Sequence, residues 1–107
     1  MMPSKKPNDT DKIYITGKAG QYSVVPPTAY ARSGQTPDAF EFKNLTDQEA
    51  RILGSGVFTG DVAVPSGSSN QALVLGTLQD GVYEYLVVVG NNSLAQGSSA
   101  PRIIIDG

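Results

Sequence analysis

The sequence predicts an all-β fold, a sandwich or barrel of about six to eight short strands. The apolar residues come in short runs, and 12 glycines and 7 prolines supply turn signals between the runs. The segment 39–44 alternates most cleanly, with Phe40 and Phe42 on one face and Glu41 and Lys43 on the other. A chain of 107 residues suits one domain with a single hydrophobic core.

The first third of the chain divides into short strands separated by turn residues. The segment 12–16 alternates as a strand, and a turn over 18–21 separates it from a second strand over 22–25. Pro26 and Pro27 follow directly and cannot donate hydrogen bonds to a strand ladder. We therefore expect the strand 22–25 to lie at an edge or at a crossing between sheets.

The segment 48–53 supports two interpretations. Alternation of apolar and charged residues within it favours a strand. Thr46 and Glu49 have the spacing of a capping box, and Gly54 stands where a helix C-cap would, so a two-turn helix stays open. We favour the strand.

The second half is predicted to contain the longest strand, 82–89. Tyr83, Tyr85, Val87 and Val89 share one face of this segment, which we expect to form core. A run this apolar promotes aggregation when it is exposed, so we place it at the centre of a sheet. The other predictions are a loop over 65–70, a strand over 72–75, a turn over 79–81, a loop over 90–100 and a strand over 102–106.

Residues 1–11 are polar and include two prolines, which predicts a disordered N-terminal arm before a single domain over 12–107. No run approaches the roughly 20 apolar residues of a membrane span. The N-terminus also lacks the apolar core of a signal peptide. We expect a soluble protein without membrane insertion, and the sequence leaves its compartment open.

The absence of histidine and cysteine constrains function most strongly. Imidazole and thiolate are the usual ligands of copper and zinc, and the usual bases and nucleophiles of covalent catalysis. We therefore predict no catalytic residues, no cofactor-binding residues, no metal-ligating residues and no cofactor. The net charge of −2, with scattered cations, also argues against a nucleic-acid partner.

Five short segments occur in an informative order along the chain. They are Pro27 after a short strand, Phe40–Asn44, Pro65–Gly67, the G-x-Y-x-Y segment Gly81–Tyr85, and the final strand Pro101–Asp106. This order resembles the cupredoxins, the small blue-copper β-sandwich family, over residues 12–107. The resemblance implies a Greek-key sandwich or barrel.

The resemblance also implies where copper ligands would stand. The first histidine would fall near residues 49–51, the cysteine near Val87, the second histidine near Gly90, and the axial methionine near Leu94. This sequence has none of those ligand types at any of these positions. The resemblance thus supports the fold and removes electron transfer by copper from the expected functions.

Carboxylates are the remaining candidates for chemistry. Glu41 and Glu84 would form a general acid–base pair if their strands were neighbours, and Asp47 with Glu49 could contribute oxygens to calcium. Both pairs are more simply read as solvent-exposed charges. Among the tyrosines, Tyr14, Tyr22 and Tyr30 lie near polar residues and are candidates for contact with a partner.

The sequence therefore predicts a non-catalytic, metal-free, cupredoxin-like binding or structural module. We expect a protein partner, with the oligomeric state left open. The alternative is an immunoglobulin-like subunit of a larger surface or appendage assembly. The predicted contact surface consists of the glycine-rich loops 54–61, 65–70 and 90–100.

Overall fold

Eleven short strands in three sheets make up the computed structural model, which describes residues 10–31, 39–91, 93–96 and 100–106. In chain order they are β1 (Thr10–Lys18), β2 (Gln21–Val25), β3 (Thr28–Ala31), β4 (Ala39–Asn44), β5 (Ala50–Leu53), β6 (Val62–Val64), β7 (Ser69–Leu73), β8 (Gly81–Glu84), β9 (Leu86–Val89), β10 (Ser93–Leu94) and β11 (Arg102–Ile105). These ranges contain no helix, so none in them is long and apolar enough to cross a membrane.

The first sheet has the order β2-β1-β4-β7. Strands β1 and β2 form an antiparallel hairpin, and β1 pairs with β4 in parallel. Ala19 and Gly20 form the two-residue turn with φ of 56° and 84°, which is the backbone geometry that matches the twist of a tight hairpin. Strand β2 lies at the edge of this sheet, as the proline pair after it predicts.

The other two sheets contain the strands of the second half of the chain together with β3. The second sheet has the order β10-β9-β5-β6, and its three strand pairs are antiparallel. The third has the order β3-β11-β8, with β11 parallel to β3 and antiparallel to β8. The β3–β11 pairing joins the first third of the chain to its last strand.

The core is built from the alternating inward faces of these strands. The prediction for 39–44 is confirmed, because Phe40 and Phe42 are fully buried while Glu41 and Lys43 are only partly covered. The rings of Phe42, Phe58 and Tyr85 pack edge to face, with centroid separations of 6.0, 5.9 and 5.1 Å. This geometry is favoured because the edge of one ring meets the electron-rich face of another.

The predicted single strand over 82–89 is wrong. The chain leaves the third sheet after Glu84 and enters the second at Leu86, with Tyr85 between them buried in the core. Strand β8 therefore lies at an edge, β9 lies inside its sheet, and the longest strand is β1. A continuous apolar run does not reveal the residue at which a chain changes sheets.

Smaller boundaries also differ. The predicted loop 65–70 ends early because Ser69 and Asn70 begin β7, and the predicted strand 72–75 ends at Leu73. The strand interpretation of 48–53 is confirmed by β5, and the helical alternative is wrong. Residues 10 and 11 belong to β1 instead of the predicted arm, whose other residues, 1–9, lie outside the described ranges.

Candidate functional site

The positions at which the resemblance implies copper ligands lie together at one end of the second sheet. Strand β9, which carries Val87, lies between β5, which carries Ala50, and β10, which carries Leu94. The Gly90 N–H donates to the carbonyl oxygen of Glu49 at 2.8 Å. The fold thus brings these positions close together in space.

The side chains at these positions supply packing, not ligands. Ala50 and Val87 are buried in the hydrophobic core, and Leu94 points its apolar side chain partly into solvent. Methyl groups have no lone pairs to offer a cation, and their burial contributes about 25 cal/mol per Å² of apolar surface. This part of the sheet is therefore a continuation of the core.

A buried hydrogen-bond network centred on Asn44 lies beside these residues. The Asn44 side-chain amide donates to the carbonyl oxygens of Gln48 at 2.7 Å and Val64 at 2.9 Å. Its Oδ1 accepts from the backbone N–H of Thr46 at 2.9 Å and from the Thr46 hydroxyl at 2.7 Å. Asn44 thereby makes four side-chain hydrogen bonds, which offset the cost of burying a polar group.

The same network joins the loop after β4 to the loop after β6. The Ser66 hydroxyl donates to the Thr46 carbonyl oxygen at 2.6 Å, and the Gly67 N–H donates to the Asn44 carbonyl oxygen at 2.8 Å. Leu45, between two buried residues, is nevertheless 53% exposed. The network thus holds an apolar side chain outward on a fixed backbone.

Sequence reasoning did not find this network. Asn44 and Thr46 form an N-x-T pattern of a glycosylation acceptor, and the spacing of Thr46 and Glu49 is that of a helix capping box. In the structure, the Asn44 amide is buried and bonded, so it is not available to a glycosylating enzyme in the folded chain. Asparagine tends to hydrogen-bond to the backbone two residues later, and this tendency is the sequence signal that could have predicted the network.

An open cleft of about 540 Å³ lies beside the network, between β2 and the segment 94–96. Tyr22 and Ala95 form an isolated parallel bridge there, and the Gln48 side-chain amide lies 3.5 Å from the Tyr22 hydroxyl. The cleft is lined by Gly20, Gln21, Tyr22, Ser23, Leu94 and Gln96. None of these residues is Asp, Glu, Lys or Arg, so the lining is neutral and polar except for Leu94.

No protein-family model and no curated protein matches the chain. Solved structures do match. Auracyanin from the photosynthetic bacterium Roseiflexus castenholzii has a TM-score of 0.61 at 13% identity, covering 92% of this chain and 97% of that one. Amicyanin from Paracoccus versutus has a TM-score of 0.50 at 11% identity, covering 94% and 85% of the two chains.

A larger enzyme also contains the same architecture. A laccase-like multicopper oxidase from Ochrobactrum sp. has a TM-score of 0.57 at 14% identity, covering 95% of this chain but 28% of the oxidase. The chain has the cupredoxin fold. At identities this low, the likeness concerns the arrangement of the strands alone.

The cupredoxin fold implies copper, and the residues present do not fit that metal. Copper sites in proteins depend on thiolate, imidazole or thioether ligands. The chain has no cysteine or histidine, and its two methionines are Met1 and Met2. The described residues also contain no group of three or more carboxylates that could hold a metal ion.

The predicted contact loops do not form one surface. Because β5 and β6 are antiparallel, the loop 54–61 that joins them lies at the opposite end of the sandwich from the loop 65–68 after β6. Gly90 and Asn91 lie near the 65–68 loop, since β9 ends beside the start of β5. Part of the predicted loop 90–100 is strand β10, and residues 92 and 97–99 lie outside the described ranges.

The carboxylate pair considered for catalysis does not come together across neighbouring strands. Glu41 lies on β4 in the first sheet, whereas Glu84 lies on β8 in the third. The register places Glu41 opposite Lys12 and Gln71, and places Glu84 opposite Arg102. The arrangement that a pair of glycosidase carboxylates requires is absent from this pair.

The tyrosines divide differently from the prediction. Tyr14 and Tyr30 are exposed, as expected of contact candidates, but Tyr22 is buried. Tyr85 is buried as predicted, and Tyr83 is half-buried, with its hydroxyl donating to the Gln79 carbonyl oxygen at 2.7 Å. The Tyr85 hydroxyl has no hydrogen-bond partner among the described residues, and burial raises its pKa well above the usual range.

Proposed function

We propose that this chain is a metal-free, non-catalytic binding module with the cupredoxin fold. The observation that carries the proposal is the burial of Ala50 and Val87 where the fold would place copper ligands. Apolar side chains in those positions pack against the sheet and stabilise it. The scaffold retains its core without the chemistry for which metal ligands are needed.

The charged and hydroxyl residues support a non-catalytic role. A serine nucleophile needs a neighbouring base, and without histidine the candidate base would be a lysine. Lys43, on the strand beside the serine-rich loop, donates from Nζ to the Gly67 carbonyl oxygen at 2.9 Å. This hydrogen bond directs the amine at a backbone carbonyl oxygen and not at a serine hydroxyl.

The two loops joined by the Asn44 network, 45–49 and 65–68, favour a protein as the partner. Asn44, Thr46 and Ser66 hold the two loops in one conformation, so binding there would lose little conformational entropy. Leu45 supplies an exposed apolar group between them. Such a rigid loop with one displayed apolar side chain suits contact with a protein surface.

The thermal midpoint of unfolding in the presence of metals tests the metal-free proposal. A cation that binds the folded state raises the midpoint by mass action. We expect the same midpoint with excess copper(II), excess calcium or a chelator, measured at pH 7. A rise of several degrees with either cation, reversed by the chelator, would overturn the proposal.

Assembly into a larger particle is the second candidate function. The chain has the cupredoxin fold and not an immunoglobulin-like one, but one observation still supports a role in assembly. The outward face of the third sheet carries a row of three apolar residues, the exposed Tyr30 and Val82 with the half-buried Ile104 between them.

A further inference from the structure

The outward face of the third sheet has two rows of three side chains, which we call the β11 face. Because side chains alternate along a strand, the inward positions of β3 and β11 are buried while the positions between them face outward. In the first row, Arg102 lies opposite Thr28 and Glu84; in the second, Ile104 lies opposite Tyr30 and Val82.

The second row is apolar across all three strands. Tyr30 is 61% exposed and Val82 is 60% exposed, with the half-buried Ile104 between them. The outer side of a sheet in a sandwich is normally polar. The first sheet shows this in the row of Lys12, Glu41 and Gln71, which are register neighbours in the same way.

The first row carries one charge of each sign. Arg102 and Glu84 are opposite each other in the register, yet no ion pair joins them among the residues that the structure describes. Arg102 Nε is buried without a hydrogen-bond partner in that part of the chain. A cation and an anion side by side make this row complementary to a copy of itself turned about a two-fold axis.

We propose that the β11 face binds the β11 face of a second copy of this chain. The proposed dimer supplies a partner for the binding module proposed above, and it rests on that proposed function. The two-fold axis of this dimer runs parallel to the strands, above the gap between β11 and β8. It places Arg102 over Glu84 of the second copy, and Ile104 over Val82 of the second copy, each contact occurring twice.

Charge decides this register over its neighbours. An axis directly above β11 would place Arg102 on Arg102 of the second copy, and an axis above β8 would place Glu84 on the other Glu84. Like charges in contact oppose association, whereas the register between the strands makes two opposite-charge contacts. Tyr30 then lies at the rim of the interface.

The size of the face sets the strength of the association. Three apolar side chains and one charge pair per copy cover less than the roughly 800 Å² per partner of a stable complex. The dimer is therefore a weak, concentration-dependent one, and it requires measurement up to millimolar protein.

Sedimentation equilibrium with charge-reversed variants tests the charge contacts. We expect Arg102→Glu and Glu84→Arg each to weaken dimerisation at least about tenfold, and the double variant to restore it, since it exchanges the charges without changing the pattern. The matched control is Lys12→Glu with Glu41→Lys, a register pair of the same kind on the first sheet, which should leave the dimerisation unchanged.

Cross-linking tests the register itself, and the absence of native cysteine makes it specific. Facing sheets lie about 10 Å apart, which a short bifunctional thiol reagent spans. Val82→Cys mixed with Ile104→Cys should cross-link at least about fivefold more than Tyr30→Cys alone. Residues 82 and 104 of different copies face each other, whereas the two copies of residue 30 lie at opposite rims, three strand spacings apart.

Three results would overturn the inference. They are a monomer at all concentrations up to about 2 mM, a dimer insensitive to both charge reversals, and cross-linking of Tyr30→Cys alone as strong as that of the mixed pair. None of these would alter the thermal response to metals. Failure of this inference is therefore distinguishable from failure of the proposed metal-free function.

Discussion

Asn44 links the loop that follows it to the end of strand β6, twenty residues later. Its side chain satisfies the carbonyl oxygens of Gln48 and Val64 and accepts two hydrogen bonds from Thr46. Only a planar amide offers two donors and two acceptor lone pairs in this arrangement. The conformation of the loops 45–49 and 65–68 depends on this one side chain.

Replacing Asn44 with alanine should destabilise the chain by about 2–4 kcal/mol. The change removes the Asn44 partner of the buried Val64 carbonyl oxygen and of the Thr46 N–H, at about 1–3 kcal/mol for each group that water does not reach. The Gln48 carbonyl oxygen keeps its hydrogen bond from the Thr46 hydroxyl. Urea unfolding measures the effect, and Asn91→Ala, at an exposed position near the same end, is the control. Equal stability of the two variants would contradict the network.

Tyr85 presents the opposite case, a buried hydroxyl without a partner among the described residues. Replacement by phenylalanine keeps the ring contacts with Phe42 and Phe58 and removes the unbonded group. We expect a gain of about 1 kcal/mol in the free energy of unfolding at pH 7. A loss of that size would show that the hydroxyl is bonded in solution.

The same variant should change the response to alkaline pH. Burial raises the pKa of Tyr85 in the folded chain, whereas the unfolded chain keeps a value of about 10. Below pH 10 both states hold the proton, and above it only the unfolded state releases it readily, so stability falls as pH rises. Tyr85→Phe should show a smaller fall between pH 9 and 11, measured by urea unfolding, and an identical fall would contradict the assignment.

Local alternation predicted most of the strands, but not where the chain passes between sheets. Segment 39–44 was predicted correctly because its polar and apolar residues alternate strictly. Segment 82–89 was not, because its residues are apolar on both faces and continue across the change of sheet at Tyr85. Tyr22, a predicted contact residue, is instead buried on the same face of β2 as Val24, beside Ala95 and Gln48, which are distant in sequence.

The β1–β2 hairpin makes two glycine positions experimentally separable. At Gly17, where φ is 116°, a Cβ atom would overlap the Gln21 carbonyl oxygen and lie 2.8 Å from the Tyr22 Cα. At Gly20, where φ is 84°, a Cβ atom would meet nothing within 4 Å. Both positions carry backbone strain for other residues, but only the first adds a collision with the chain.

Gly17→Ala should therefore cost at least about 3 kcal/mol in stability, and Gly20→Ala about 1 kcal/mol. Paired urea-unfolding curves give the comparison, with Gly20→Ala as the control for the conformational cost alone. Similar losses at both positions would mean that strands β1 and β2 approach less closely than described.

The molecule combines a cupredoxin arrangement of strands with a core that continues through the region where copper ligands would stand. The order of short motifs predicted that arrangement. The absence of histidine and cysteine from the composition predicted that copper ligands would be missing. The contact surfaces were less predictable, because they depend on which loops share an end and which strands share a face. The β11 face arises from residues of β3, β8 and β11, which are far apart along the chain.

Amide NMR spectra recorded with and without copper(II) and calcium test the metal-free scaffold most directly. The account predicts no localised shift or broadening at residues 45–51 and 86–96, the segments that surround Ala50 and Val87. Uniform, weak effects on exposed carboxylates would agree with it. Saturable changes confined to those two segments would show that the site binds a cation through oxygen or backbone groups, and would contradict the central claim.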